Sequence, residues 1–266
     1  MENITHYPLL VFLVSFIMLW LSARIGRYIF LKQQKTEKEL REDYNIILAG
    51  ALTLLGVIIG FSFSMAANRY NLRKNYEEAE ANAIGTEYVR ADLLPAADAV
   101  KVRTLLKDYL VQRVAYYQTQ NEAELREINA RTTGLQAELW SVIPAPAKAQ
   151  PTPIMALAVS GMNDVLNSQS YTQAEFWNRI PLGAWRLMVA IAIGCNLLIG
   201  YGSRSATAGK KLLPFMPLLV SIAFMIIADI DSPRHGLVRI QPLNLMSLSE
   251  SLGPNPGEQG ASTNRK

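Results

Sequence analysis

Ile46 to Arg69 reads IILAGALTLLGVIIGFSFSMAANR, and this stretch decides the fold. From Ile46 to Ala67 it carries no charged residue. A bilayer core of about 30 Å takes about 20 apolar residues in a helix, so this run is long enough to cross. No proline occurs between Pro8 and Pro95, so the helix can continue past Asn68 to Leu94. A helix from Asn45 to Leu94 would be on the order of 75 Å long, with about half of it outside the bilayer as a stalk.

Three further spans follow from the same criterion. Pro8 to Ile29 has its proline in the first turn, where the missing N–H costs nothing. Trp20, Arg24, Arg27 and Tyr28 sit towards its far end as interfacial anchors. A signal peptide is the competing reading. The run is too long for an h-region, though, and no basic segment precedes it. Leu182 to Tyr201 is the third span. Leu212 to Ile230 is the fourth, with Pro214 and Pro217 expected to bend or delay its first turn. The expected fold is therefore an all-α integral membrane protein. Residues 1–70 hold the first helix pair, 71–180 a soluble helical region, 181–232 the second pair and 233–266 a tail, disordered after about Ser251.

Bulk composition agrees. The chain has 266 residues, is 50% hydrophobic and only 18% charged, against roughly 25% in soluble domains. The net charge of +4 is modest. The basic residues lie beside apolar segments, so they read as topology signals rather than a nucleic-acid footprint. The single cysteine, Cys195, allows no disulfide within the chain. Arg24, Arg27, Lys32, Lys35, Lys38 and Arg41 lie between the first two spans, and Arg204, Lys210 and Lys211 between the last two. The opposite side carries Arg69, Arg73, Lys74, Arg179, Arg234 and Arg239. This balance puts both short loops in the cytoplasm, with the termini and central region outside.

In the central region the apolar residues recur at helical spacing. Val102, Leu105, Leu106, Tyr109, Leu110, Val114 and Tyr117 form one stripe. Leu125, Ile128, Leu135, Leu139 and Val142 form a second with a gap at Thr132, and Met155 to Leu166 a third. Pro144, Pro146, Pro151 and Pro153 read as a turn or rigid linker. A helical bundle with the stalk buries these faces, and contact between subunits is the alternative.

Catalytic patterns are missing. The two histidines, His6 and His235, have no acidic or cysteine partner at metal-ligand spacing. No phosphate loop or nucleophile elbow is present. No enzyme activity, metal or cofactor is expected. The acidic residues Glu77, Glu78 and Glu80 read as a solvated helix face.

The second span carries more information. Ala49, Thr53, Gly56, Gly60, Ser64 and Ala67 form one stripe of small residues. Small residues allow close helix packing in lipid, and they can equally face a pore. Phe61 and Phe63, beside Ser62 and Ser64, could form a hydrophobic constriction if several copies surround an axis. Asn68, Arg69, Arg73 and Lys74 follow at the membrane exit. They are interfacial anchors or, in an oligomer, a basic ring that concentrates anions. Asp229 and Asp231 end the fourth span, where acids oppose the helix dipole. They therefore call for a partner. Arg234, Arg239 or the basic residues by Asn68 could provide an ion pair, backbone amides a cap, or a cation could be coordinated there.

Phe61 to Arg69, the stalk from Glu78 through Gly85, Thr86, Tyr88 and Arg90 to Pro95, and the close Asp229-Ile230-Asp231-Ser232-Pro233-Arg234-His235-Gly236 together resemble the bestrophin-like family of bacterial membrane proteins. The resemblance extends to about Leu248. It implies paired membrane helices flanking a soluble helical region, assembled as a pentameric anion channel. It also implies a cytoplasmic soluble region, opposite to the charge balance. The chain lacks the acidic calcium-clasp run of bestrophins.

The leading expectation is a homo-oligomeric ion channel lined by the second span. The alternative is a membrane-anchored interaction or sensor module that binds a protein partner through its helical region. A secondary transporter fits less well, because no broken intramembrane helix with a mid-depth acid is visible.

Overall fold

The computed structural model describes residues 7–32, 40–203 and 212–253. Lys35, Lys38, Arg204, Lys210, Lys211, His6 and most of the expected disordered tail lie outside these residues. Among the described residues every regular element is a helix. They are α1 (Pro8–Lys32), α2 (Leu40–Arg90), α3 (Ala96–Gln118), α4 (Glu122–Val142), α5 (Pro144–Ala149), α6 (Pro153–Trp177), α7 (Leu182–Gly202), α8 (Phe215–Asp231) and α9 (Leu243–Leu252). A 3-10 turn, Ala91–Leu93, closes α2 ahead of Pro95.

The long second helix is real and starts earlier than its apolar run. It spans 51 residues without a break, on the order of 75 Å. Absence of proline and a continuous supply of helix-compatible residues explain this. Among the described residues, three stretches contain helices long and apolar enough to cross a membrane: Pro8–Lys32, Asp43–Leu93 and Pro153–Gly202. The helix Phe215–Asp231 has 17 residues, about 25 Å. Pro214 precedes it as N-cap, so the run from Leu212 turns before its regular helix begins.

Two compact units emerge. The first comprises Met1–Tyr70 and Arg179–Arg239, the second Asn71–Asn178 and Ile240–Lys266.

In the first unit, α1 packs on α7 and α8. Leu19, Leu55, Ala66, Met188, Ala192, Cys195, Phe224 and Ile227 are buried between the helices. Trp185 meets Phe224 edge-on, with ring centroids 6.0 Å apart. On the outer side of α1, Leu9, Leu13, Ile17, Leu21 and Ile25 are exposed, as a lipid-facing surface requires. The helices α1 and α7 approach each other closely. A Cβ on Gly26 would collide with the Leu197 carbonyl, and one on Gly200 with the Ala23 carbonyl. Small-residue packing therefore occurs at this crossing, between residues that the reading of α2 left aside. Ser15 and Ser22 face inward and donate to the carbonyls of Phe12 and Met18 at 3.1 and 2.9 Å.

In the second unit, α3 and α4 form an antiparallel pair. Asn121 caps α4, its Oδ1 accepting from Ala123 N at 2.8 Å. Thr152 caps α6, its Oγ1 accepting from Met155 N at 3.2 Å, with Pro153 in the first turn. The apparent gap at Thr132 is a core position. Its side chain is buried and its Oγ1 donates to Ile128 O at 2.7 Å. The proline-rich segment expected as a linker contains a six-residue helix, α5, because Pro144 occupies a first-turn position that needs no N–H.

The segment assigned to a tail divides. Residues up to Arg239 belong to the first unit, and Ile240 onwards to the second. There α9 packs on α3 and buries Leu245.

Candidate functional site

Along the apolar half of α2, Leu55, Ser62 and Ala66 are buried on one side. The small residues lie on the other. Thr53, Gly56, Gly60 and Ser64 are exposed, and a Cβ added at Gly56 or Gly60 would meet nothing within 4 Å. At these four positions the stripe is therefore open among the described residues. Phe61 and Phe63 flank it on either side, 70% and 46% exposed, and Asn68 is exposed beyond them. These six expected positions thus fall on one broad, unburied face.

The basic residues separate. Arg69 is half-buried and Lys74 exposed. Arg73, expected as part of an exposed ring, is instead buried in the second unit. Its Nε donates to Glu175 O at 3.2 Å and its Nη2 to Asn178 O at 2.9 Å. It closes the C-terminal end of α6, where carbonyls lack helical donors and a cation is favoured.

The acidic stalk is not a solvated face. Glu78 is exposed, but Glu77 and Glu80 are buried. Glu77 accepts from Asn244 Nδ2 at 2.6 Å and from Leu245 N at 2.9 Å, capping α9. Glu80 pairs with Arg113, and both side chains are 0% exposed. Thr172 Oγ1 donates to it at 3.1 Å and Tyr117 Oη at 3.3 Å. Burial raises Tyr117 and Tyr109 above the ordinary phenol range, with the Glu80 charge adding. The Glu80 charge drives Arg113 upward against the opposing effect of burial. The sequence signal is Arg113, a charged residue at helical spacing within the apolar stripe of Val102 to Tyr117.

Further along α2, Gly85 lies against Leu248. Gly85 and Thr86 line a cavity of about 470 Å³ with Asn244 and Leu248. The Tyr88 ring lies 5.4 Å from the Arg103 guanidinium and 5.9 Å from Lys107 Nζ. Arg90 Nη1 donates to Leu157 O at 3.4 Å. Pro95 caps α3. Glu87, not singled out by the sequence, is buried with no hydrogen bond to either carboxylate oxygen. A Cβ on Gly161 would overlap its Oε2. Burial pushes its carboxyl up to about 8, with Arg90 opposing and Asp164 adding.

At the end of α8, both acids accept from backbone amides. Ile180 N donates to both oxygens of Asp231 at 3.2 Å. Leu237 N and Val238 N donate to Asp229 at 2.5 and 3.0 Å. Pro233 and Gly236 are buried in the loop so formed. Gly236 must lack a Cβ, which would press on the Asp229 carbonyl. Among the described residues no group of three or more His, Cys, Asp and Glu could hold a metal.

The fold is similar to crystal structures of bacterial bestrophin homologues from Klebsiella pneumoniae. One, phased on zinc, aligns with a TM-score of 0.62 at 12% identity, over 92% of this chain and 96% of that one. A singly substituted form aligns with a TM-score of 0.63 at 12% identity, over 92% and 97%. Another gives 0.60 at 13% identity, over 93% and 99%. No curated protein matches. The Bestrophin-like domain matches residues 10–245, and the chain belongs to the family that this domain defines.

Proposed function

We propose that this chain assembles with copies of itself into a membrane ion channel whose axis is lined by α2. The observation that carries the reading is the small-residue face. Gly56, Gly60 and Ser64 are exposed, and a Cβ on either glycine would meet nothing within 4 Å. A long apolar helix that packs on one side and leaves a narrow small-residue face open is suited to surround an axis with its counterparts. Phe61 and Phe63 would then narrow the path at the hydrophobic level, where a constriction gates by dewetting. Four spans are proposed, with α8 the short fourth. Five copies follow by analogy with bestrophins, and catalysis is no part of the reading.

Exposed Lys74 and half-buried Arg69 supply positive potential, which favours anions. The charge balance puts the short loops in the cytoplasm of a bacterial inner membrane, the reverse of the orientation implied by the resemblance.

The test is conduction. Purified protein, shown to be folded and oligomeric, is placed in planar bilayers. Ionic currents are expected, with conductance or gating altered by Phe63→Ala. Silent bilayers would refute the channel, and a monomer or dimer would turn the reading to a partner-binding membrane module.

A further inference from the structure

Near the end of α2, Glu87 is wholly buried, yet neither carboxylate oxygen accepts a hydrogen bond among the described residues. Its carboxyl lies against the backbone of α6 at Gly161. Arg90, one helical turn further on, comes to the same spot. A Cβ on Gly161 would collide with both Glu87 Oε2 and Arg90 Nη1. A glycine inside a helix costs about 1 kcal/mol against alanine, and here it makes the room that both side chains need. Arg90 Nη1 nonetheless donates to Leu157 O of α6, at 3.4 Å, and not to Glu87. Just beyond, the turn Ala91–Leu93 also packs on α6.

A buried carboxylate without donors is far costlier than the neutral acid in the same place. Burial accordingly pushes Glu87 up to about 8. The charged groups that act on it are Arg90 on its own helix, which opposes the rise, and Asp164 on α6, which adds to it. On α3, Arg103 and Lys107 lie over the neighbouring Tyr88 ring instead, and Arg103 pairs with Asp92. A charged Glu87 therefore has Arg90 as the cation at hand, and Arg90 is engaged with a carbonyl of α6.

We propose that Glu87 and Arg90 form a proton-operated latch between α2 and α6. With the carboxyl protonated, Arg90 holds the Leu157 carbonyl and α6 lies closed on α2 at Gly161. When the proton leaves to solvent, Arg90 passes from Leu157 to the Glu87 carboxylate, and residues 153–161 loosen. A carboxylate draws a guanidinium more strongly than a backbone carbonyl does, because the hydrogen bond is charge-assisted on both sides. The two arrangements are in equilibrium, and pH biases it: closed while the carboxyl keeps its proton, open once that proton is lost. The latch lies within the second unit and rests on neither conduction nor assembly.

The test is amide hydrogen exchange read by mass spectrometry on the full-length protein in detergent, with labelling times scaled to the chemical exchange rate at each pH. Between about pH 6 and about pH 9.5, residues 153–161 are expected to exchange on the order of tenfold faster, while α3 keeps its protection. Glu87→Gln, neutral throughout, should hold residues 153–161 protected at both values. Arg90→Gln should exchange faster there already at the lower pH. Asp164→Asn, a change at an exposed side chain, should move the onset of loosening to lower pH, and it keeps the test valid if Glu87→Gln misfolds. Equal protection of residues 153–161 at the two pH values overturns the latch. So does a rise in exchange spread evenly over the second unit, which is general unfolding. Loosening that persists in Glu87→Gln, an onset unmoved by Asp164→Asn, or full protection of Arg90→Gln at the lower pH also overturns it.

Discussion

Arg113 donates its Nε–H to Glu80 Oε1 in a pair from which solvent is wholly excluded. Tyr116 stacks against the guanidinium at 4.4 Å, and Thr172 and Tyr117 complete the carboxylate's shell. Such a pair contributes little net stability but fixes which helix faces meet. Losing one partner leaves an uncompensated charge in the core. Arg113→Met is therefore expected to cost about 3–5 kcal/mol, read as lost thermal stability in detergent. Replacing both partners with apolar residues should cost less than either single change.

Glu87 gives a pH dependence of definite sign. Its carboxyl is pushed up to about 8, and it faces Arg90 on its own helix and Asp164 on α6. The folded state therefore holds a proton that the unfolded chain releases near 4.5. The contribution is complete below the unfolded value and disappears as pH rises through about 8. The melting temperature should fall between about pH 5 and about pH 9. Glu87→Gln, neutral throughout, should flatten that fall and melt higher at the alkaline end.

The glycines of α2 and those of the α1–α7 crossing should respond in opposite ways. Gly200→Ala drives a methyl into the Ala23 carbonyl and should destabilise by about 1–3 kcal/mol. At Gly60 nothing lies within 4 Å. Gly60→Ala should leave stability unchanged or raise it by up to about 1 kcal/mol through helix propensity. If α2 lines a pore, it should nonetheless alter conductance. Paired unfolding and current measurements on the two variants separate packing from lining.

Lys74 and Arg73 are adjacent in sequence but different in role. Lys74 is exposed, so Lys74→Glu should fold normally and, if the proposed channel conducts anions, shift reversal potentials away from them. Arg73 holds the carbonyls of Glu175 and Asn178, so Arg73→Met should lower stability and yield. A Lys74→Glu channel with unchanged selectivity would remove this residue from the pathway.

Orientation is open to a direct check. The charge balance predicts an active alkaline phosphatase fusion at Gln120 and an inactive one at Ser205. The inverse pattern would support the orientation implied by the family resemblance.

Much of the architecture is legible in the sequence because it follows from local rules. Apolar length marks the candidate spans. The absence of proline between Pro8 and Pro95 permits the unbroken α2, and 3.6-residue spacing marks α3, α4 and α6. Facing is harder, because it depends on which side of each helix meets a partner. Glu77 and Glu80 look solvated until Arg113, Asn244 and Leu245 come against them from distant parts of the chain. Arg73 looks like a free cation until α6 ends beside it.

The small-residue stripe makes the division plain. Sequence alone determined that α2 carries Gly56, Gly60 and Ser64 on one face, since helical periodicity is local. Only the tertiary structure decided that this face stays open while Gly26 and Gly200 make the close crossing. Periodicity groups residues on a helix, but long-range packing decides which group is buried.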